Sequence, residues 1–401
     1  MNRKLLMLGA SHFQIPVIKY AKKAGYNVIT ADYLPENPGH KFSDAYYNVS
    51  TIDKEAILKL AKSLSIDGIL SYASDPGTTT AAYVSEKLDL PGNPYESVKI
   101  LQQKDLFRKF LKENNFNVPA SKSFGKIEDG RNYASKLLEK YVSIIIKPVD
   151  SSGSKGVTKI NSLNDFESAF NLGLQYSFKK KVVVEQYIKK TIYEMDGDGF
   201  VWNGKLQFRC FGNQHNDIRC NPYVPSGISF PYVQGKSIQQ KAHNEIERAL
   251  NLLDMKVGGL NIEYLTDENE EVFILEIGPR SGGNLIPDVI KYSTGVDLIA
   301  YSVEGALGKD CSDLTMKNSQ GFYASYIIHS IEDGILNSIN INDELKENII
   351  EENIWKKKND SVIKFNGSNG TIGTMILKFS SSDEMIYKMD NMNKYIKVEL
   401  N

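Results

Sequence analysis

Only three cysteines, Cys210, Cys220 and Cys311, occur in 401 residues, and none stands in CxxC spacing. An odd number without that spacing argues against a disulfide framework and a structural zinc site, so the thiols read as core or surface residues. Long apolar runs are missing too. No stretch approaches the eighteen residues of a membrane span, and the opening Met1-Asn2-Arg3-Lys4-Leu5-Leu6-Met7-Leu8-Gly9 is too brief for a signal segment. A cytoplasmic protein without membrane contact is expected. Charge of one sign is lacking: the formal net charge is −1, and the runs Lys179-Lys180-Lys181 and Lys356-Lys357-Lys358 are too small and isolated for a nucleic-acid stripe. Both read as solvated loops. The phosphate loop GxxxxGK[ST] is absent, and Gly9-Ala10-Ser11-His12-Phe13-Gln14 lacks the second and third glycines of a dinucleotide turn, which leaves Asp32 as slender grounds for NAD. No internal repeat is visible.

What is present is an ordinary globular composition, 41% apolar and 24% charged, in a chain longer than the roughly 250–300 residues that one core holds. Two or three domains follow. Residues 4–8 read as a buried strand, 14–23 as a helix and 26–31 as a second strand, a βαβ opening that implies a parallel sheet. A helix over 53–64, a strand over 66–72 and a helix over 78–87 continue it to the turn Pro91-Gly92-Asn93-Pro94. In Asp75-Pro76-Gly77-Thr78, Asp75 and Thr78 read as helix caps. A helix bearing Lys104 and Arg108 precedes a strand over 142–146. Past Ala306 the segments 321–329, 335–339 and 370–379 suggest a small, mostly β terminal region.

Glu263 and Glu276 flank a tight hairpin: 259–265 alternates like a strand, Asp267-Glu268-Asn269-Glu270 turns, and 272–275 returns. If Thr266 faces Glu271, then Glu263 faces Ile274 and Asn261 faces Glu276, which makes the glutamates diagonal neighbours on one face with Gly278 and Arg280 continuing it. Hard oxygens beside a guanidinium suit a magnesium-bound polyphosphate. Ile146-Lys147-Pro148 puts a lysine where a buried strand ends, and Asp150-Ser151-Ser152-Gly153-Ser154-Lys155-Gly156-Val157 can cover phosphates with backbone amides and hydroxyls. Taken alone, such a loop is also an ordinary hairpin turn. Lys181 to Glu185 is an apolar strand, and the run Glu185-Gln186-Tyr187-Ile188 offers a carboxylate or carbonyl edge for adenine. Glu194 beyond it can take ribose hydroxyls. The segment 209–229, with Asn221, and the run Arg280-Ser281-Gly282-Gly283-Asn284 read as substrate loops. His12 can reach the same cleft or serve packing.

In this order the chain resembles the ATP-grasp superfamily, especially its carboxylate–amine ligases of the amino-acid ligase and carbamoyl-phosphate-synthase-like kind, over about its first three quarters. The resemblance implies an α/β and α+β fold. It would have a Rossmann-like pre-ATP-grasp domain over 1–94, a small ATP-grasp subdomain over 95–190, a large one with the metal site over 191–310, and a β-rich part over 311–401. It also implies ATP-dependent ligation of a small carboxylate to an amine through an acylphosphate, with Mg2+, or Mn2+ as its substitute, and a homodimer as in many relatives. Lys104 and Lys147 resemble the family's phosphate-binding lysines, and Ser151, Ser152, Gly153, Ser154 and Gly156 its lid. Glu185, Gln186, Tyr187 and Ile188 resemble the adenine hinge, Glu194 the ribose acid, Glu263 and Glu276 the metal ligands, and Arg280 the catalytic arginine. One departure is plain: Gly278 stands where the family commonly has asparagine, so that amide ligand is missing and Asn261 or water would have to compensate. A purine-pathway enzyme acting on a nucleotide and a non-catalytic ATP sensor remain as alternatives.

Overall fold

The computed structural model describes residues 2–401; Met1, where the first expected domain begins, lies outside them. Strand β1 (Lys4–Leu8), helix α1 (Ile15–Lys23), β2 (Asn27–Ala31), β3 (Ala45–Tyr47), α2 (Lys54–Leu64), β4 (Gly68–Ser71) and α3 (Thr78–Leu88) form a parallel sheet of order β3-β2-β1-β4 with its helices. Leu5, Leu6, Met7 and Leu8 are fully buried, as expected for a strand covered on both faces. The first helix starts one residue later than the sequence suggests. Gln14 instead ends a short turn and buries its amide, which accepts Ser11 N at 2.7 Å and donates to Tyr72 O at 2.8 Å, tying the β1 and β4 ends together. Asp32 likewise serves its own loop, accepting from Leu34 N and Asn37 Nδ2 at 2.9 Å.

Helices α4 (Tyr95–Gln102) and α5 (Lys104–Glu113) lead to a second sheet of order β5-β8-β6-β7, built from β5 (Ser121–Phe124), β6 (Ile144–Pro148), β7 (Thr158–Ile160) and β8 (Val182–Gln186), with α6 (Ile127–Lys140) and α7 (Phe166–Gln175) on one face. The strand expected over 142–146 begins at Ile144. Val142 is 88% exposed, because the chain is still leaving α6 there.

The largest sheet is eight-stranded, order β13-β12-β9-β10-β11-β14-β18-β16. Its first strands are β9 (Met195–Trp202), β10 (Lys205–Asn216), β11 (Pro225–Phe230), β12 (Val257–Thr266) and β13 (Val272–Gly278), with α8 (Lys236–Leu252) between β11 and β12. Helices α9 (Ile286–Thr294) and α10 (Leu298–Ala306) follow, and Ile299, Val303 and Leu307 pack against Leu5, Met7 and Val17, joining the sheet to the first domain. From the β-rich C-terminal part, β14 (Phe322–His329), β16 (Ile349–Ile354) and β18 (Thr371–Phe379) extend this same sheet. Strands β15 (Gly334–Ile341), β17 (Ser361–Val362) and β19 (Ile396–Leu400), with α11 (Asp343–Lys346) and α12 (Ser382–Asp390), pack beside it. His12, a candidate for the cleft, stacks on Trp355 of this part with ring centroids 4.4 Å apart. No helix among the described residues is long and apolar enough to cross a membrane.

The β12–β13 hairpin differs from the expected register. Asp267 holds the turn by accepting Glu271 N at 2.9 Å, so Thr266 pairs with Val272 rather than Glu271. A bulge then leaves Leu275 unpaired, and its carbonyl accepts Arg108 Nη1 at 2.9 Å. Glu263 therefore stands directly opposite Glu276, and Asn261 opposite Gly278.

Candidate active site

Two rows of side chains cross three strands of the large sheet. Asp196 on β9 pairs with Glu263 on β12, which pairs with Glu276 on β13; the next row is Asp198, Asn261 and Gly278. Residues directly opposite in antiparallel strands point to one face, so the first row aligns three carboxylates. Lys104, at the start of α5, reaches across from the second lobe: its Nζ donates to Glu276 Oε2 at 3.1 Å and to Ser151 O at 3.0 Å. Burial opposes its charge, but Glu276 and Glu263 hold its pKa above the ordinary lysine value. Burial, reinforced by Glu276 and Asp196, pushes the Glu263 carboxyl well up. These carboxylates crowd together and call for cations.

Arg280 follows β13 and folds its guanidinium back over Gly278. Asp75 grips it, with Nε to Oδ1 at 2.9 Å and Nη2 to Oδ2 at 2.8 Å. Burial disfavours both charges, yet Arg280 draws the Asp75 pKa down and Asp75 drives that of Arg280 up. Asp75 is thus no helix cap: α3 is capped by Gly77, and only the Asp75 carbonyl accepts from Thr78. Asn261 donates to Asp196 at 2.8 Å and to Asp198 at 3.2 Å, so its amide nitrogen is committed there and it does not face Glu276. Asp198 is fully buried and accepts Gly282 N with both oxygens, at 2.9 and 2.8 Å, fixing the loop after Arg280. Burial first, then Asp196, raises its pKa to about 8.

In the second lobe Lys147 Nζ lies 2.7 Å from Glu185 Oε1, and Arg108 Nε lies 3.0 Å from Glu185 Oε2. Burial works against the Glu185 charge, but Arg108 and Lys147 bring its pKa down to about 2. Its carboxylate braces Lys147 and Arg108 instead of presenting an adenine edge. Gln186 N and Tyr187 N are taken by the Ala120 and Ser143 carbonyls. The loop after β6 carries left-handed backbone at Gly153, Ser154 and Gly156. Gly153 is in open space, whereas a Cβ on Gly156 would come within 2.9 Å of Tyr176, so the loop is pinned at its far end and free at its tip.

One cavity of about 1520 Å³ joins these parts, more than the roughly 300–1,000 Å³ of a single small-ligand pocket. Lys104, Lys147, Ser151, Ser152, Gly153, Ser154, Tyr187, Ile188, Glu194, Glu263, Glu276, Arg280, Gly283 and Asn284 all line it. Ser281 and Gly282 do not line it: Ser281 Oγ meets Ser302 Oγ at 3.3 Å inside the protein. Asn221 is also off the wall, its Oδ1 closing a turn on Tyr223 N at 3.0 Å, while Pro222 and Tyr223 line the cavity in its place. Sequence reasoning missed Asp75 as an arginine partner, and it missed Asp196 and Asp198 altogether. The acid alternation in Asp196-Gly197-Asp198-Gly199 was the available signal.

Two α+β lobes thus face one cavity, lined by a loop of small residues and by lysines and acids from both. Residues 101–284 match the ATP-grasp domain, and over that stretch the chain is similar to the ATP-grasp family. Carbamoyl phosphate synthase large chain from Thermoanaerobacter pseudethanolicus is 27% identical over 243 residues, which are 60% of this chain and 22% of that one, so the chain spans about a fifth of that relative. L-amino acid ligase from Bacillus licheniformis has the same fold, TM-score 0.82 and 18% identity over 100% of this chain and 99% of the other. Phosphoribosylglycinamide synthetase from Anaerococcus prevotii gives TM-score 0.77 at 22% identity over 100% of both chains.

Proposed function

We propose that this protein is an ADP-forming ligase that activates a small carboxylate as an acylphosphate and joins it to an amine. The observation that carries the reading is the meeting of Lys104 with Glu276, opposite Glu263, in the cavity that Lys147, Arg280 and the 151–155 loop also line. Glu263 and Glu276 fit Mg2+, or Mn2+ in its place, because that ion takes one or two carboxylates and leaves its other positions to phosphate and water. Bound there, the ion would neutralise charge on the phosphates of ATP.

Adenine would lie against Tyr187 and Ile188, with Glu194 toward the ribose. Lys104 and Lys147 would bear on the phosphates, and the loop with Gly153 at its tip would exclude water from a hydrolysable acylphosphate. A carboxylate oxygen attacks the γ-phosphorus and ADP leaves; the amine nitrogen then attacks the acyl carbon, phosphate departs and the amine releases a proton. Arg280, held by Asp75, faces the negative charge that grows in both steps. No covalent enzyme intermediate is required.

The wall supplied by the first domain includes Gly9, Ser11, Asp32, Thr51, Ser74 and Asp75, and no lysine, arginine or histidine of that domain lines the cavity. Such a wall offers a ribose phosphate no cationic side chain and favours a small acid and amine, an amino acid among them, in an ATP-supplied cytoplasm. The test is ADP and phosphate release with Mg-ATP against amino acids and other small carboxylates, singly and in pairs, with mass detection. A pair-dependent product equal to both substrates less water supports the reading. Turnover only with a phosphorylated nucleotide, or ATP binding with no turnover at all, would replace it with a purine-type enzyme or a sensor.

A further inference from the structure

At the end of β10, Asp217 and Cys220 meet His329 at the end of β14, and the three bring their ligand atoms within 4.8 Å of one another. We propose that these three residues bind a borderline-soft divalent transition ion of the Zn2+ type, stapling the β10–β11 loop to the end of β14. CxxC spacing is absent, but Asp217-Ile218-Arg219-Cys220 is a turn closed by Cys220 N on Asp217 O at 3.0 Å, which sets the first and fourth side chains together with a carboxylate in the first place.

His329 is already oriented as a ligand. Its Nδ1 lies 2.7 Å from Ile327 O and so donates to it, which turns Nε2 toward Asp217 Oδ2 at 3.1 Å. Phe365 stacks on the imidazole at 4.5 Å, and Val224, Ile327 and Phe365 form an apolar cluster against Cys220, a surrounding that keeps water from competing. Arg219 N holds Asp217 Oδ1 at 3.0 Å, the outer hydrogen bond of a ligating carboxylate. The Arg219 guanidinium also spans both Asp217 oxygens, but its side chain is 41% exposed and can withdraw to solvent.

Binding would exchange protons for the ion. Any proton on a ligand atom goes to buffer, and the ion gains imidazole, thiolate and carboxylate, with water in a fourth tetrahedral position. A thiolate ligand selects against Mg2+, so this site would not compete with the carboxylates for that ion. Ile218, Pro222, Tyr223 and Pro225 of the stapled segment line the catalytic cavity, so occupancy would stiffen its wall from the C-terminal side.

The experiment is Co2+ titration of the full chain without nucleotide and in excess Mg2+. The expected result is a thiolate-to-cobalt charge-transfer band saturating near one equivalent and bleached by Zn2+. The band should vanish in Cys220→Ser, and affinity should fall about 10–100-fold in His329→Gln. Should Cys220→Ser not fold, alkylation mapped by mass spectrometry answers the same question in the native chain, because Zn2+ should protect Cys220. No band, a band unchanged in Cys220→Ser, or alkylation indifferent to Zn2+ would overturn the site.

Discussion

Asp75 and Arg280 are joined by two parallel hydrogen bonds, 2.9 and 2.8 Å long, across the cleft between the first domain and the large sheet. The arginine that would face the reacting groups in the proposed reaction is therefore aimed by a residue from another domain. Asp75→Asn should lower kcat about 10²-fold through a shift of the guanidinium, with KM for ATP little changed. Steady-state kinetics with each substrate varied in turn checks this; equal losses in kcat and in ATP affinity would point to general damage.

Arg108 joins the lobes through Glu185 and the Leu275 carbonyl, and its side chain is only 4% exposed. Arg108→Leu leaves Glu185 with Lys147 alone and strands the bulged carbonyl, so it should cost about 3–5 kcal/mol, the usual penalty for breaking a buried pair. Urea unfolding measures it. A loss below about 1 kcal/mol would show that water replaces the guanidinium freely.

Asp198 and Glu185 give stability opposite pH dependences. The Asp198 pKa is raised to about 8, so its contribution is full below the ordinary carboxyl pKa near 4 and is lost as pH climbs from there through about 8. The Glu185 pKa is lowered to about 2, so its contribution is present above about 4.5 and is lost as pH falls from there through about 2. Thermal melts from pH 5 to 9 should fall less steeply in Asp198→Asn, which still accepts from Gly282. Parallel curves for variant and wild type would remove Asp198 as the source.

Gly156 is left-handed at φ +73° with Tyr176 against it, and Gly153 is left-handed at φ +64° in open space. Gly156→Ala should cost about 1–3 kcal/mol of local strain and misseat the loop, raising phosphate release relative to amide product. Gly153→Ala has the φ strain without the collision and should show the smaller defect. Phosphate-to-product ratios compare the two directly.

Much of the site was readable because its chemistry sits in short stretches: Glu263 and Glu276 flank a polar turn, and Lys147 precedes a loop of small residues. The register was not, since the bulge at Leu275 answers a donor on Arg108 that lies far away in sequence. Asp75 fits a helix cap as well as it fits an arginine partner until Arg280 is seen beside it. Glu185 ends an apolar strand in the manner of a hinge residue, and nothing local tells that two cations occupy its carboxylate. Asn221 serves a turn, the local hydrogen bond its side chain favours. Long-range pairing decided each of these except Asn221.

Transfer of the γ-phosphoryl group to a substrate carboxylate is read from turnover with the carboxylate labelled in both oxygens with 18O, once the pairwise screen has named the acid. An acylphosphate route moves one labelled oxygen into each phosphate released, and the amide keeps the other. Unlabelled phosphate formed together with amide would rule that transfer out.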